Sequence, residues 1–199
     1  RTAGGVETSL RSSADDRLVV LIGHSGAGPL LPAIGATLRQ PVAAYVFVDA
    51  GLPSGGHSRL EAMATEDATL ATEFRAALAA GQHIPDWSDH DLRELVPDSG
   101  RRQALLDALR PRGADYWTEE LPTVSGWPNA PCGYLHFSEA YRSAAERAIR
   151  AGWPVRHMPA GHFHQIVDPH AVAEAIVEVL DACGIRSSRT ATSQKGAIA

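Results

Sequence analysis

Short apolar runs alternate with helical patterns along most of the chain. Residues 17–23 (RLVVLIG) and 41–51 (PVAAYVFVDAG) are continuous apolar runs rich in branched side chains, and glycine or aspartate stops each of them. Such runs are typical of strands that are buried on both faces of a sheet. Residues 132–141 and 153–162 contain two further runs of this kind. The pattern therefore predicts four strands.

Helical patterns lie between these runs, over residues 26–39, 141–151 and 169–183. Gly152 follows the second of them and suits a helix C-cap. Asp168 precedes a proline and suits an N-cap before the first helical turn of the third. Parallel strands joined by helices predict an α/β fold of three layers, in which helices cover both faces of a parallel sheet.

Residues 52–131 interrupt the alternation. They contain several short helical patterns without a convincing strand, and prolines and tryptophans punctuate them. We expect a helical cap over the strand ends, and a long decorated crossover helix is the alternative. One domain is expected over residues 1–185, including the cap. Residues 186–199 are polar and unpatterned, which predicts a disordered tail.

Composition narrows the choice of partners. The 199 residues are 44% hydrophobic, enough for the core of one domain, and the formal net charge is −5. Because the arginines are scattered, we expect no nucleic-acid partner. No apolar run has the length of a membrane span, and the polar start lacks a signal-peptide pattern. Cys132 and Cys183 are expected to be reduced, mostly buried thiols, which favours a cytoplasmic location.

The first strand pattern ends in GHSGAG, residues 23–28, directly before a helical pattern. At a sharp strand-to-helix turn a serine hydroxyl projects clear of the sheet, and small neighbours avoid collisions with the adjacent strand and helix. A plain connecting turn or a phosphate-binding turn is the alternative interpretation. The glycine spacing differs from Gly-x-Gly-x-x-Gly, however, and no P-loop lysine follows. The pattern favours a nucleophilic serine.

This stretch, GHSGAG after LVVLI, resembles the nucleophile elbow of the α/β-hydrolase superfamily. The resemblance implies that Ser25 is the nucleophile and that the amide of Gly26 stabilises the oxyanion. Ala27 stands where the family pattern has a glycine, and alanine is small enough to be tolerated there. Pro32 lacks an amide proton and is expected to kink the helix that follows.

Residues 159–176 (PAGHFHQIVDPHAVAEAI) resemble the segment that carries the catalytic histidine in this family. The resemblance implies that His162 is the general base, with His24 and His164 as pocket residues; His164 is the alternative base, and we favour His162 because it directly follows a glycine. A metal site formed by His162, His164 and Asp168 is the alternative. No third strong ligand with a familiar spacing accompanies the two histidines, so we expect no metal.

Two residues could supply the acid that orients the histidine. Glu139 follows the third strand pattern, which is the family's more usual place, and we favour it. Asp49 ends the second strand pattern and is the alternative acid; it could equally cap a turn. Both precede His162 in the chain, so the order serine, acid, histidine does not separate them.

The resemblance accounts for only the second half of a hydrolase. A complete member would place four strands before the elbow strand, with a loop that donates a second oxyanion amide. About sixteen polar residues precede the first strand pattern here. We therefore expect that the N-terminal strands are absent from this chain or come from another chain. The open sheet edge is also compatible with a homo-oligomer.

These features predict a serine hydrolase that needs no cofactor. Its substrate would be a small-molecule ester, thioester or lactone, as for a carboxylesterase or thioesterase. Two alternatives stay open: a lyase or cofactor-free peroxidase on the same scaffold, and a non-catalytic or partner-dependent fragment that keeps the elbow as structure. Frequent Ala, Arg and Gly residues are consistent with a GC-rich bacterial source.

Overall fold

Four parallel strands form one sheet in the order in which they occur along the chain. The computed structural model describes residues 18–185, so the expected tail at 186–199 lies outside the described residues. The strands are β1 (Val19–Ser25), β2 (Val42–Ala50), β3 (Cys132–His136) and β4 (Val155–His157). The predicted α/β class with a parallel sheet is confirmed.

Nine helices accompany the sheet in the described part of the chain. They are α1 (Leu31–Thr37), α2 (Arg59–Glu66), α3 (Ala68–Ala79), α4 (Asp89–Leu92), α5 (Ser99–Ala108), α6 (Ala114–Thr118), α7 (Arg142–Arg150), α8 (His164–Val167) and α9 (Pro169–Ala182), and two 3₁₀ turns lie at Gly28–Leu30 and Glu139–Tyr141. None of these helices combines the length and the apolar character that crossing a bilayer would require.

Strand β2 lies at the centre of the core, and its residues 44–50 are all buried. Successive strand side chains point to opposite faces of a sheet. Phe47 therefore packs on one face, with apolar residues of α1 and α7, whereas Val46 and Val48 pack on the other face with α9. Helices on both faces explain why this strand reads as a continuous apolar run.

The helix ends follow their local sequence signals. The Asp168 carboxylate accepts a hydrogen bond from the amide of Ala171 at 3.0 Å, which caps α9. Gly152 follows α7 with φ +75°, a conformation that favours glycine. The expected single helix with a kink at Pro32 is instead two elements, the 3₁₀ turn at Gly28–Leu30 and α1. Pro32 lies in the first turn of α1, where its missing amide breaks no helical hydrogen bond.

The segment between β2 and β3 contains helices α2–α6 and two isolated antiparallel bridges, Ser58 with Glu120 and Ile84 with Arg112. Its second half packs on the chain that follows β4. Leu92 and Val96 join one apolar cluster with Phe163. The Arg101 guanidinium also donates to the carbonyl oxygens of Ile166 and Val167, at 2.6 and 2.8 Å. This inserted segment therefore braces the loop and short helix α8 that carry His162 and His164.

A cavity of about 400 Å³ opens at the amino ends of β3 and β4, and Cys132, Trp153 and Cys183 contribute to its lining. Both cysteines are free thiols. Burial raises the pKa of the Cys132 thiol to about 12, so it stays protonated in neutral solution. Ligands of open parallel sheets bind at the carboxyl ends of the strands, which is the opposite edge.

We expect Gly133→Ala to destabilise the fold, because β3 and α9 approach closely there. A Cβ atom at Gly133 would lie 2.4 Å from Cγ1 of Val179 and 3.0 Å from Sγ of Cys183. Overpacking of this kind lowers the free energy of unfolding by about 1–3 kcal/mol, which urea denaturation would measure.

Gly100→Ala is the matched control, because the nearest atom to its Cβ would be a carboxylate oxygen of Asp98 at 3.4 Å. Alanine also favours the helix α5 in which it would lie, so the control should keep or raise the unfolding free energy. Equal urea midpoints for Gly133→Ala and the parent would contradict the tight packing of α9 on β3.

Candidate active site

Ser25 is the last residue of β1, and its backbone turns sharply there, with φ +56°. Residues other than glycine rarely adopt this left-handed conformation, and such strain of about 1–3 kcal/mol occurs mainly at functional sites. Ser25 lies at the carboxyl edge of the sheet and is partly exposed. A nucleophile elbow requires a bend of this kind at this place.

The tightest position in the turn is Gly28 rather than the position two residues after Ser25. A Cβ atom at Gly28 would lie 2.3 Å from the carbonyl oxygen of Gly51 and 2.9 Å from Cβ of Ala50. Ala27, in contrast, is exposed. The expectation that crowding limits position 27 is therefore wrong, because the turn approaches the end of β2 one residue later.

Asp49 lies near the end of β2, fully buried, and accepts hydrogen bonds from three residues. Its Oδ1 accepts from the amides of Phe137 and Ser138, both at 2.9 Å. Its Oδ2 accepts from the Ser138 hydroxyl at 2.6 Å and lies 2.7 Å from Nδ1 of His162. Burial by itself would raise the pKa of this carboxyl, but the hydrogen bonds outweigh burial and hold the pKa below its ordinary value. Asp49 is therefore a charged carboxylate at neutral pH.

Within the described part of the chain, Glu139 forms no hydrogen bond or ion pair with His162, although the sequence favoured it as the acid. It begins the 3₁₀ turn after β3, where its side chain is 75% exposed and forms an ion pair with Arg142. The turn directs Glu139 toward solvent, whereas β2 places Asp49 beside the His162 loop. The structure thus corrects the expected pairing: Asp49 makes the contact that Glu139 was expected to make.

His162 is held at both its ring and its backbone. Asp49 occupies Nδ1, and the carbonyl oxygen of His162 accepts from Nε2 of His24 at 2.8 Å. Its ring stacks on that of Tyr141, with centroids 5.1 Å apart and planes 15° apart. The Ser25 hydroxyl lies 3.0 Å from the Tyr141 hydroxyl, and within residues 18–185 no hydrogen bond joins it to His162. Nε2 of His162 remains as the ring nitrogen available to Ser25.

His24 belongs to this cluster, whereas His164 lies outside it. Because Nε2 of His24 donates to the backbone of His162, its Nδ1 is an acceptor, and the Gln165 amide donates to it at 3.3 Å. Burial, together with the nearby His162, lowers the pKa of His24 to about 4. The His164 ring instead packs edge-on against Phe137, with centroids 6.0 Å apart.

The alternative metal site is not assembled. The Asp168 carboxylate caps α9, and Nδ1 of His162 is bonded to Asp49. In the part of the chain that the structure describes, no group of three or more His, Cys, Asp or Glu side chains is placed to hold a metal ion.

Sequence reasoning missed three polar residues of the site: Ser138, Tyr141 and Gln165. The first two lie within five residues of the end of β3, at the same edge of the sheet as Ser25. That placement is the only signal that could have indicated them, because the partners of Ser138 and Tyr141 are 89 and 116 residues away in sequence.

We expect the fold to lose stability between pH 6.5 and about 4 because of His24. Its pKa is about 4 in the folded chain and near 6.5 when unfolded, so in this range the unfolded state binds the proton and the folded state does not. Urea midpoints at pH 7.5, 5.5 and 4.5 would measure the loss, which should be smaller in His24→Gln.

His170→Gln is the control, since His170 is exposed on α9 and pairs there with the exposed Glu174. It should keep the pH dependence of the parent. The same loss in His24→Gln and the parent would contradict a neutral, buried His24.

The sequence matches known proteins over most of its length. A model described as "Alpha/beta hydrolase family" matches residues 3–175. The carbendazim hydrolyzing esterase of Nocardioides sp. (strain SG-4G) is 22% identical over 179 residues, an alignment that covers 79% of this chain and 69% of that protein.

Solved structures agree in fold. An extracellular alpha/beta-hydrolase from a Paenibacillus species, described as sharing structural and functional homology with tobacco salicylic acid binding protein 2, aligns with a TM-score of 0.67 and 18% identity, over 89% of this chain and 77% of that one. Polyneuridine aldehyde esterase aligns with a TM-score of 0.63 and 15% identity, over the same shares. With a family model matched over residues 3–175, the chain belongs to the alpha/beta hydrolase family.

Proposed function

We propose that the chain is a serine esterase acting on a small-molecule ester, with Ser25 as nucleophile, His162 as general base and Asp49 as the acid. One observation carries the proposal: a buried, charged Asp49 bonds Nδ1 of His162 at the sheet edge where Ser25 sits in a strained bend. Two of the similar proteins are named esterases, which favours an ester over a thioester or lactone.

The reaction would proceed in two steps. In the first, the Ser25 hydroxyl gives its proton to Nε2 of His162 while Oγ bonds to the carbonyl carbon, and the departing alcohol takes that proton as the ester bond breaks. In the second, water attacks the acyl group and gives a proton to His162. His162 returns it to Oγ as the acid product leaves.

Each neighbour of His162 would serve this exchange. The Asp49 carboxylate fixes the tautomer with a proton on Nδ1 and stabilises the imidazolium that forms. His24 donates to the backbone carbonyl of His162, and Gln165 in turn fixes the tautomer of His24. Within residues 18–185 the Gly26 amide has no hydrogen-bond acceptor, so it is free to donate to the oxyanion.

The bond between Ser25 and Tyr141 is compatible with this mechanism. A rotation about the Cα–Cβ bond of Ser25 would redirect its hydroxyl, and catalytic hydrogen bonds often tighten only once substrate is bound. Ser25 is partly exposed, so its side chain does not have to move through the buried core in such a rotation.

A fluorophosphonate probe should label the parent chain and fail to label Ser25→Ala, because the probe bonds to an activated serine oxygen. Mass spectrometry of the labelled peptide would locate the adduct. Ser125→Ala is the control, since Ser125 is exposed in a turn far along the chain, and this variant should label as the parent does. A folded parent chain that takes no label would overturn the esterase proposal and favour a non-catalytic or partner-dependent role.

Asp49→Asn should lower kcat for p-nitrophenyl acetate by about 10³–10⁴-fold, because an amide at this place favours the wrong tautomer of His162. Glu139→Gln is the matched control and should stay close to the parent, because the Glu139 side chain is largely exposed. A large loss in Glu139→Gln together with a small one in Asp49→Asn would reverse the assignment of the acid.

A further inference from the structure

We propose that Tyr141 is a catalytic residue, whose hydroxyl donates a hydrogen bond to the substrate carbonyl oxygen as that atom becomes an oxyanion. This inference rests on the proposed esterase function and adds to it a side-chain donor that the elbow itself does not supply. Its basis is the position of one hydroxyl group relative to the reacting oxygen.

The Tyr141 hydroxyl touches the atom at which the chemistry would occur. It lies 3.0 Å from Oγ of Ser25. The backbone of Tyr141 ends the 3₁₀ turn after β3, where its amide donates to the Ser138 carbonyl at 3.1 Å. Ser138 is in turn bonded to Asp49. The backbone that carries this hydroxyl is therefore held by Ser138, the residue that also binds Asp49.

Packing restricts the Tyr141 ring as well. The ring is stacked nearly parallel to His162 and packs against the apolar cluster between the sheet and α7. Burial raises the pKa of the Tyr141 hydroxyl above its ordinary value, so the proton remains on the oxygen throughout the neutral range. A restricted, protonated phenol is a hydrogen-bond donor that needs no reorganisation at the moment of reaction.

Bond formation at Oγ of Ser25 would weaken the hydrogen bond between Ser25 and Tyr141, so that the Tyr141 hydroxyl can donate to the substrate. When Oγ bonds to the carbonyl carbon it becomes an ester oxygen, which accepts hydrogen bonds weakly. The carbonyl oxygen is then two bonds from Oγ and carries the developing negative charge. The Tyr141 hydroxyl can shift its hydrogen bond to that oxygen while keeping its own proton, and Gly26 can donate from the backbone of the turn. No atom is transferred to or from Tyr141.

The ring has a separate effect from the hydroxyl. His162 becomes an imidazolium during both steps, and the face of an aromatic ring attracts a cation. Phenylalanine at position 141 would keep this stacking and remove only the donor. Tyr141→Phe therefore isolates the proposed contribution.

The test compares Tyr141→Phe with the parent on p-nitrophenyl acetate and on a trifluoromethyl ketone, which adds to a serine oxygen to give an oxyanion. Loss of one oxyanion donor should lower kcat by about 10²-fold or more. KM should stay within about twofold, because the bond forms only in the transition state. The affinity for the ketone should fall together with kcat.

Tyr45→Phe is the matched control. Tyr45 lies on β2, four residues before Asp49, and its hydroxyl donates to Asn129 at the same distance of 3.0 Å. Loss of this hydroxyl should leave kcat and ketone affinity unchanged. Should Tyr141→Phe prove unstable in urea, Tyr141→Gln and Tyr141→Leu make a second pair. The glutamine variant retains a donor and should bind the ketone more tightly than the leucine variant.

The outcomes are separable. A parent that hydrolyses the ester and takes the fluorophosphonate label, with a Tyr141→Phe variant equal to it in kcat and ketone affinity, overturns the role of Tyr141 and leaves the esterase standing. A parent that neither labels nor hydrolyses overturns both. A rise in KM with kcat unchanged would make Tyr141 a substrate-binding residue and would overturn the oxyanion role.

Discussion

The buried carboxylate of Asp49 is the constraint on which the site depends. An ionised carboxylate away from water is costly unless hydrogen bonds replace its hydration. Here the amides of Phe137 and Ser138, the Ser138 hydroxyl and His162 do so, and these partners lie 88 to 113 residues away in sequence. One charge thereby fixes the end of β2, the turn after β3 and the histidine loop relative to each other.

The sheet and the elbow could be predicted because their signals are local. Strand β2 lies within the apolar run at 41–51, and β1 ends at the serine that the glycine-rich turn indicated. The third apolar run, residues 132–141, predicted a strand that is too long. Strand β3 ends at His136, although Phe137 is still buried. Burial continues past the last strand residue there, so apolar character alone could not mark where the backbone leaves the sheet.

The choice between Asp49 and Glu139 could not be made from the sequence, because Asp49 lies at the end of one strand and Glu139 shortly after the end of the next, at the same edge of the sheet. The choice depends on the direction in which the 3₁₀ turn after β3 points the Glu139 side chain. In the sequence, only the spacing of Glu139 and Arg142 indicated a surface ion pair. Tyr141 is a similar case, since its contact with Ser25 arises only when distant segments meet. Sequence periodicity reports burial along one element, whereas these contacts depend on relations between elements.

The left-handed bend at Ser25 sets the requirements of folding and of chemistry against each other at one residue. Glycine would adopt φ +56° without the steric penalty that a Cβ atom brings. The backbone conformation alone therefore favours glycine at this position, whereas the nucleophilic role proposed for Ser25 requires the hydroxyl. In a descendant protein that no longer needed the hydroxyl, we expect residue 25 to be substituted early, with little effect on the rest of the sheet.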